Sequence, residues 1–309
     1  MNITVIGAGA VGGYFGGRLA EAGHNLTFLV RENRAKQLAD SGLVIKSPHG
    51  DLALTPHIVQ NPQEIKTCDL IILSTKNYHL EGTFAQIRPL VSLGAKLLPL
   101  LNGIEHYELL AKEFGSDKVL GGLCKIFSTL DADGVIHHTD KIHEITFGAL
   151  QPSQSKFCLE VKQALENSLL TITCSGNIWD DIWSKYAFIT AFSAITTASR
   201  LSIDQVAENE ATKEVYSHLL QEMWSLSREC GAILRDDFVP QNLNAISNYP
   251  KGSTSSMHKD FRKGLPLEVE SFQGAAIRLG IKHGLELPTV RALYGLLKPF
   301  ENGFLAEGE

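Results

Sequence analysis

Residues 2–20 read NITVIGAGAVGGYFGGRLA, and this stretch decides the fold. The apolar run at residues 3–6 has the length and composition of a buried strand. It leads straight into Gly7, Gly9 and Gly12, which stand at G-x-G-x-x-G spacing. In that pattern the first glycine makes a tight turn, the second lets the backbone approach a pyrophosphate, and the third lets the next helix pack closely on the strand. A helix is predicted over residues 11–22, and its free N–H groups would face the phosphates. Gly7, Ala8, Gly9, Ala10, Val11 and Gly12 are therefore the candidate dinucleotide-binding residues. Glycines alone also mark ordinary turns. Here they follow a strand, open a helix and precede a second strand at residues 25–30, and that context carries the reading.

At 309 residues and 44% hydrophobic content, the chain exceeds one typical domain and implies two. A net charge of −6 without a sustained basic stretch argues against nucleic acid or an anionic membrane as the main partner. Cys68, Cys124, Cys158, Cys174 and Cys230 are scattered and lack C-x-x-C spacing, so buried thiols in a reducing compartment are expected. The first strand begins directly after Met1, which leaves no room for a signal peptide, and the expected location is cytoplasmic. The apolar stretch at residues 187–198 is interrupted by Thr190, Ser193, Thr196 and Thr197, is too short to span a bilayer, and reads as a buried helix.

The second strand ends in Phe28, Leu29, Val30 and Arg31. Dinucleotide folds place the reader of the adenine ribose there: an acidic residue for the 2′-hydroxyl of NAD, an arginine for the 2′-phosphate of NADP. Arg31 favours NADP(H), with Glu32 beside it and a solvated strand end as the alternative. A hairpin is predicted at residues 43–46 and 52–55. Apolar strands at residues 69–75 and 96–101 then end in Lys76 and in Asn102 with Gly103. Ligands of open α/β sheets bind beyond the carboxyl ends of the strands, so Lys76 and Asn102 are candidate cofactor contacts, with solvated loop residues as the alternative. Residues 119–150 read as antiparallel strands extending the sheet edge. His137, His138 and His143 fall in this region without the companion donors a zinc site needs, and alternation puts the first two on opposite faces, so no metal site is expected. A helix to about residue 168 and a strand at 169–174 complete the first domain.

Beyond residue 176 helical periodicity dominates. A helix over 178–199 sets Ile182, Lys185, Ile189, Ser193 and Thr196 roughly on one face. A lysine on such a face either snorkels to water or serves proton transfer, and spacing leaves both open. Pro266 is expected to start a helix with Glu268 and Glu270 in its first turn, where the dipole stabilises acidic groups. The fold class is thus α/β, a Rossmann-type doubly wound sheet over residues 1–175 followed by an all-α domain over 176–309.

The motifs resemble those of the ketopantoate reductase (2-dehydropantoate 2-reductase) family along nearly the whole chain. GAGAVGG at residues 7–13, Arg31, STK ending at Lys76 and LNG containing Asn102 are similar to that family's cofactor half. IWDDIWSK at residues 178–185 resembles its W-x-K helix, which implies that Lys185 is the catalytic lysine. SSMHKDFRKGLPLEVE at residues 255–270 resembles its S-S-M to Glu signature, which implies Ser256 as a substrate contact and Glu268 as the second catalytic residue. Where the best-known members carry two asparagines after the lysine, this chain has Ile189 and Ser193, and Arg200 is a candidate anchor for a substrate carboxylate. The resemblance implies an NADP-dependent oxidoreductase in which NADPH reduces ketopantoate to pantoate, a step of pantothenate biosynthesis. It implies Lys185 and Glu268 at the reaction, Ser256 and Asn102 at the substrate, and Asn102 and Lys76 also at the cofactor; Ser193 and Arg200 are candidate substrate contacts of this chain's own. The small-molecule partner is a 2-oxo acid, and a homodimer is open as the assembly. A paralogous reductase of another 2-oxo acid, a β-hydroxy acid dehydrogenase and a non-catalytic NADP sensor are the rival readings.

Overall fold

The computed structural model describes residues 1–304; the last five residues of the expected helical domain, 305–309, lie outside the described residues. By its internal contacts the chain divides into two units. The first holds residues 1–101 and 106–178, and the second holds 102–105 and everything from Trp179 onward. One short loop inside the first stretch, residues 102–105, belongs to the second unit.

In the first unit, β1 (Asn2–Ile6) is followed by α1 (Ala10–Glu21), β2 (Asn25–Leu29), α2 (Glu32–Ser41), β3 (Leu43–Lys46), β4 (Leu52–Leu54) and β5 (Ile58–Val59). Then come β6 (Leu70–Leu73), α3 (Phe84–Ser92), β7 (Lys96–Pro99), α4 (Glu105–Phe114), β8 (Gly121–Leu130), β9 (Ile136–Gly148), α5 (Ser155–Leu165) and β10 (Thr171–Ser175). β1, β6 and β7 are buried along almost their entire length, as strands covered on both faces must be. They form a parallel sheet in the order β5-β2-β1-β6-β7.

Residues 119–150 do not extend that sheet as expected. A single parallel bridge, Leu97 to Val119, touches it, and the chain then builds a second five-stranded sheet. The physical reason is pairing: β8 and β9 form a long hairpin around a turn closed by Asp131 N–H to Val135 O and Gly134 N–H to Asp131 O. β9 also takes β10 and β3 as parallel partners, which commits it to this sheet. α1 runs between the two sheets. Phe28 and Val5 stand against it at Gly16, and Ile45 and Leu43 at Gly17, so small residues on two helix faces admit both layers. The helix contributes Tyr14, Phe15 and Leu19 to one shared core.

The three histidines of the strand region have structural partners. His137 is exposed and pairs with Asp131 at 2.7 Å. His138 and His143 are buried and stack with His49, the His49–His143 ring centroids lying 3.7 Å apart. His143 Nδ1 is bonded to Tyr14 Oη and His138 Nδ1 to Ser47 Oγ, both at 2.9 Å. Among the described residues no group of His, Cys, Asp and Glu is arranged to hold a metal ion. Among them, too, no helix is long and apolar enough to cross a membrane.

The second unit comprises α6 (Ile178–Ser199), α7 (Ile203–Glu208), α8 (Glu210–Glu229), α9 (Phe238–Ala245), α10 (Ser256–Arg262), a π-helical turn at Glu270–Gly274, α11 (Ala275–His283) and α12 (Pro288–Leu297). α6 is buried nearly all round, with Trp183, Ala187, Ala191 and Ala194 at 0–1% exposure, which makes it the central helix. α8 caps α12 from the side: both carboxylate oxygens of Glu222 accept from the backbone N–H groups of Thr289 and Val290.

Two measurements test these contacts. A Cβ at Gly12 would stand 2.2 Å from the Gly7 carbonyl oxygen and 2.0 Å from Ser74 Oγ. Gly12→Ala gains about 1 kcal/mol of helix propensity but meets backbone that cannot yield, and overpacking costs ~1–3 kcal/mol or more. Urea denaturation is expected to show net destabilisation, and an unchanged midpoint would refute the close approach. Burial first, then His49, His138 and Arg18, lower the pKa of His143 to about 4 from 6.5. The unfolded chain therefore binds a proton that the folded one refuses. Stability is expected to hold above pH 7, to fall as pH drops from 6.5 towards 4, and to show a shallower decline in His143→Asn.

Candidate active site

The glycine loop is held from behind by its carbonyl groups. Ser74 Oγ donates to Gly7 O at 2.9 Å, Arg34 Nε to Ala8 O at 2.9 Å and Ser128 Oγ to Ala10 O at 3.1 Å. In front of Gly9, which precedes the first turn of α1 without a side-chain cap, no atom lies within 4 Å of where a Cβ would stand. The loop therefore offers helix N–H groups across open space, the arrangement that binds a phosphate.

Arg34 adds a second mark of an anion site. Its guanidinium is half-buried and bonds Ala8 O, Gln37 Oε1 and Gly134 O, yet Nη2 is buried without a hydrogen-bond partner among the described residues. Buried donors without acceptors are rare in proteins, and an incoming anion would satisfy this one. Arg31 lies two residues past β2, in extended backbone at the N-cap of α2, and is exposed, its guanidinium reaching towards Gly82. Lys76 follows β6 and begins the turn Asn77–His79. The open loop and the orphaned guanidinium nitrogen fit a dinucleotide with its phosphates. Sequence reading missed Arg34, although an arginine three residues after Arg31, one turn into α2, was a readable signal.

In the second unit, Lys185 and Asn102 come together: Lys185 Nζ donates to Asn102 Oδ1 at 2.9 Å. The loop 102–105 that presents Asn102 is fastened by charge. Arg278 of α11 donates from Nε and Nη2 to the two Glu105 carboxylate oxygens, at 2.8 and 2.7 Å, and from Nη1 to Glu270 at 2.6 Å. Glu270 also accepts from Tyr294 and Lys298, each at 2.5 Å. Burial acts to raise its pKa, but the bonds from Lys298, Tyr294 and Arg278 outweigh that and hold it at about 2. Gly103 has φ +90°, and a Cβ there would stand 2.8 Å from the Ser271 carbonyl oxygen, so the loop lies against the π turn where only glycine fits. Arg278, Glu105 and Glu270 were not found from sequence; partners 173 residues apart leave no spacing signal.

The remaining candidates distribute as follows. Glu268 is 5% exposed and stands just before the π turn, its carbonyl accepting from Phe272 N–H at 3.1 Å. The helix predicted from Pro266 thus starts after Glu268, which takes the position of a cap rather than a first-turn residue. Ser256 opens α10 with an exposed side chain, while its neighbour Ser255 caps the helix and pairs with Thr196 of α6 at 2.9 Å. Ser193 is buried two turns beyond Lys185. Ile189, one turn beyond it, packs on an apolar cluster that includes Met257, Phe261, Val269 and Phe272. Arg200 is not brought to Lys185. It lies past the end of α6, fifteen positions on, about 22 Å along a helix at 1.5 Å per residue.

The family model "Ketopantoate reductase PanE/ApbA" matches residues 3–152, and "Ketopantoate reductase PanE/ApbA C terminal" matches 177–301. The uncharacterized oxidoreductase YkpB of Bacillus subtilis is 33% identical over 97% of this chain and 99% of its own. A 2-dehydropantoate 2-reductase of Nostoc is 26% identical over 96% of this chain and 93% of its own. Among solved structures, a ternary complex of D-mandelate dehydrogenase with NADH and anilino(oxo)acetate superposes with a TM-score of 0.88 at 22% identity, covering 97% of this chain and 98% of that one. With both family models matched in order and the relatives aligned nearly end to end, the chain belongs to the ketopantoate reductase PanE/ApbA family of oxidoreductases.

Proposed function

We propose that this chain is an NADPH-dependent reductase of a 2-oxo acid, and that the acid is ketopantoate, reduced to pantoate. The observation that carries the reading is the Lys185 ammonium fixed on the Asn102 amide oxygen. When bound, the reduced dinucleotide supplies the hydride that adds to the keto carbon. Lys185 donates a hydrogen bond to the keto oxygen and passes it a proton as negative charge grows there. Asn102 accepts from Lys185 without a charge of its own and sets the direction of Nζ. Glu268, a nearly buried carboxylate, accepts from the substrate hydroxyl. Ser256 is exposed and free to donate to the acid group. Arg31 and Arg34 hold the phosphate of the adenine ribose, and Lys76 the cofactor ribose or phosphates.

A second reading rests on Ile189. Its place in an apolar cluster removes the polar capacity an amide would offer there, which favours a 2-oxo acid with an apolar side chain over a hydroxylated one. A panel of 2-oxo acids, followed by loss of NADPH absorbance, decides between them. Turnover confined to apolar acids replaces ketopantoate, and absence of turnover with every acid leaves a nucleotide sensor.

Lys185→Ala is expected to lower kcat by ~10²–10⁴-fold, with NADPH affinity changed little, because the lysine acts on the substrate oxygen. Near-normal turnover on the preferred acid would remove Lys185 from the mechanism. Arg31→Gln is expected to weaken NADPH binding by about 10-fold or more, the size of a lost charge-assisted hydrogen bond, and to affect NADH far less, whereas Arg34→Gln, which also releases Ala8 O, is expected to weaken both cofactors. Fluorescence titration of both cofactors checks this; equal losses for the two in Arg31→Gln would rule out its contact with the 2′-phosphate.

A further inference from the structure

Beyond the C-terminal end of α6, the second unit contains a cavity of about 360 Å³. Its lining includes Arg200, Arg262, His258, Thr254, Asp204 and Gln205. None of these belongs to the reduction described above, and Arg200 is separated from Lys185 by fifteen helix positions. We propose that this cavity binds a small hydroxylated oxyanion, a phosphate monoester or a hydroxy acid, at a site separate from the reaction centre.

Three features point to that ligand class. The first is the pair of guanidinium groups, which arrive from different elements: Arg200 just past α6 and Arg262 at the end of α10. Arg200 is the one described non-glycine residue with positive φ, at 61°, and its guanidinium lies 5.2 Å from the centre of the Phe261 ring. A bulky residue is held in the left-handed region only where its surroundings fix it, and the ring sets the fork in place. Arginine forks match phosphate and carboxylate oxygens in geometry as well as charge.

The second feature is His258, which is 3% exposed. Its Nδ1 pairs with Thr254 Oγ1 at 2.6 Å, and the ring lines the cavity. In the tautomer in which the threonine hydroxyl donates to Nδ1, Nε2 carries the proton and can offer it to a ligand. Burial first, then Arg262 and Arg200, keep the ring below its ordinary pKa, so it is neutral at pH 7 and adds a donor without a further buried charge.

The third is the polar complement for hydroxyl groups. Asp204 is already oriented, accepting from Gly252 N–H at 2.9 Å, and Gln205 lies beside it in the lining. Lys251 lies close enough to act on the Asp204 carboxylate, so the two arginines keep an excess of positive charge for the anion. A ligand with its oxyanion on the arginines and its hydroxyls towards Asp204 and Gln205 satisfies both ends.

Calorimetric titration tests this on the full-length protein with the nucleotide site filled by saturating NADP⁺, so that phosphate cannot report from the glycine loop. Glycerol 3-phosphate and glycerate are the two probes, and their relative affinity tells phosphate from carboxylate. Binding of either in the millimolar range or tighter is expected, weakened about 10-fold or more in Arg262→Gln. Thr254→Val, which removes the oxygen that orients His258, is expected to weaken it by a smaller factor and decides the matter if the arginine variant does not fold. No heat of binding with either probe, or titrations unchanged in the folded variants, overturns the site.

Discussion

The hydrogen bond from Lys185 Nζ to Asn102 Oδ1 joins residues 83 positions apart, and the rest of the candidate active site is arranged to keep those two atoms in register. A lysine side chain has four rotatable bonds and loses considerable entropy when it is fixed, so the Asn102 amide directs it only if the amide itself does not move. The structure meets that condition through the loop at 102–105. Gly103 lies flush on the Ser271 carbonyl, and Arg278 grips Glu105 with a two-pronged contact while also bonding Glu270. Exposed ion pairs contribute little individually, but this one is a network closed by Tyr294 and Lys298, in which each side chain is already ordered by another partner.

The first unit shows the same economy in a different form. Its phosphate loop is formed by backbone atoms, and the side chains around it bind the carbonyl groups, turning them inwards. Ser74, Arg34 and Ser128 come from three different elements, so the loop is braced from three directions while its amide side is left open. Arg34 does two jobs at once: Nε holds the loop and Nη2 is left without a partner among the described residues.

Much of this was legible in the sequence where the signal is local. The glycine spacing after a strand, the arginine closing the second strand and the lysine on an otherwise apolar helix face all depend on residues within one or two turns of each other. The fold class followed from the same local patterns. Pairing choices were not legible, because alternation identifies a strand but not its neighbour: Ile45 finds Ile136 across 91 residues, and the second sheet exists only through such pairings. For the same reason Glu105, Glu270 and Arg278 gave no hint of their meeting. Arg200 illustrates a different limit. Its carboxylate-matching chemistry was readable, but the length of α6 separates it from Lys185, and that separation follows from counting residues rather than from residue type.

The π turn at Glu270–Gly274 gives the second unit a phase correction. A turn that spans one residue more than an α-helical turn rotates everything after it by about 100° relative to what precedes it. Upstream of the turn stands Glu268, and downstream stands Arg278, so the extra residue sets the angle between the proposed substrate-binding carboxylate and the guanidinium that braces the Asn102 loop. Side-chain chemistry would be untouched if one residue were lost from this turn. The helix would simply regain its regular pitch, and Arg278 would point a quarter-turn or more away from Glu105. The spacing between 268 and 278 is therefore a constraint of its own, one that tolerates changes of residue type more readily than a change in their number.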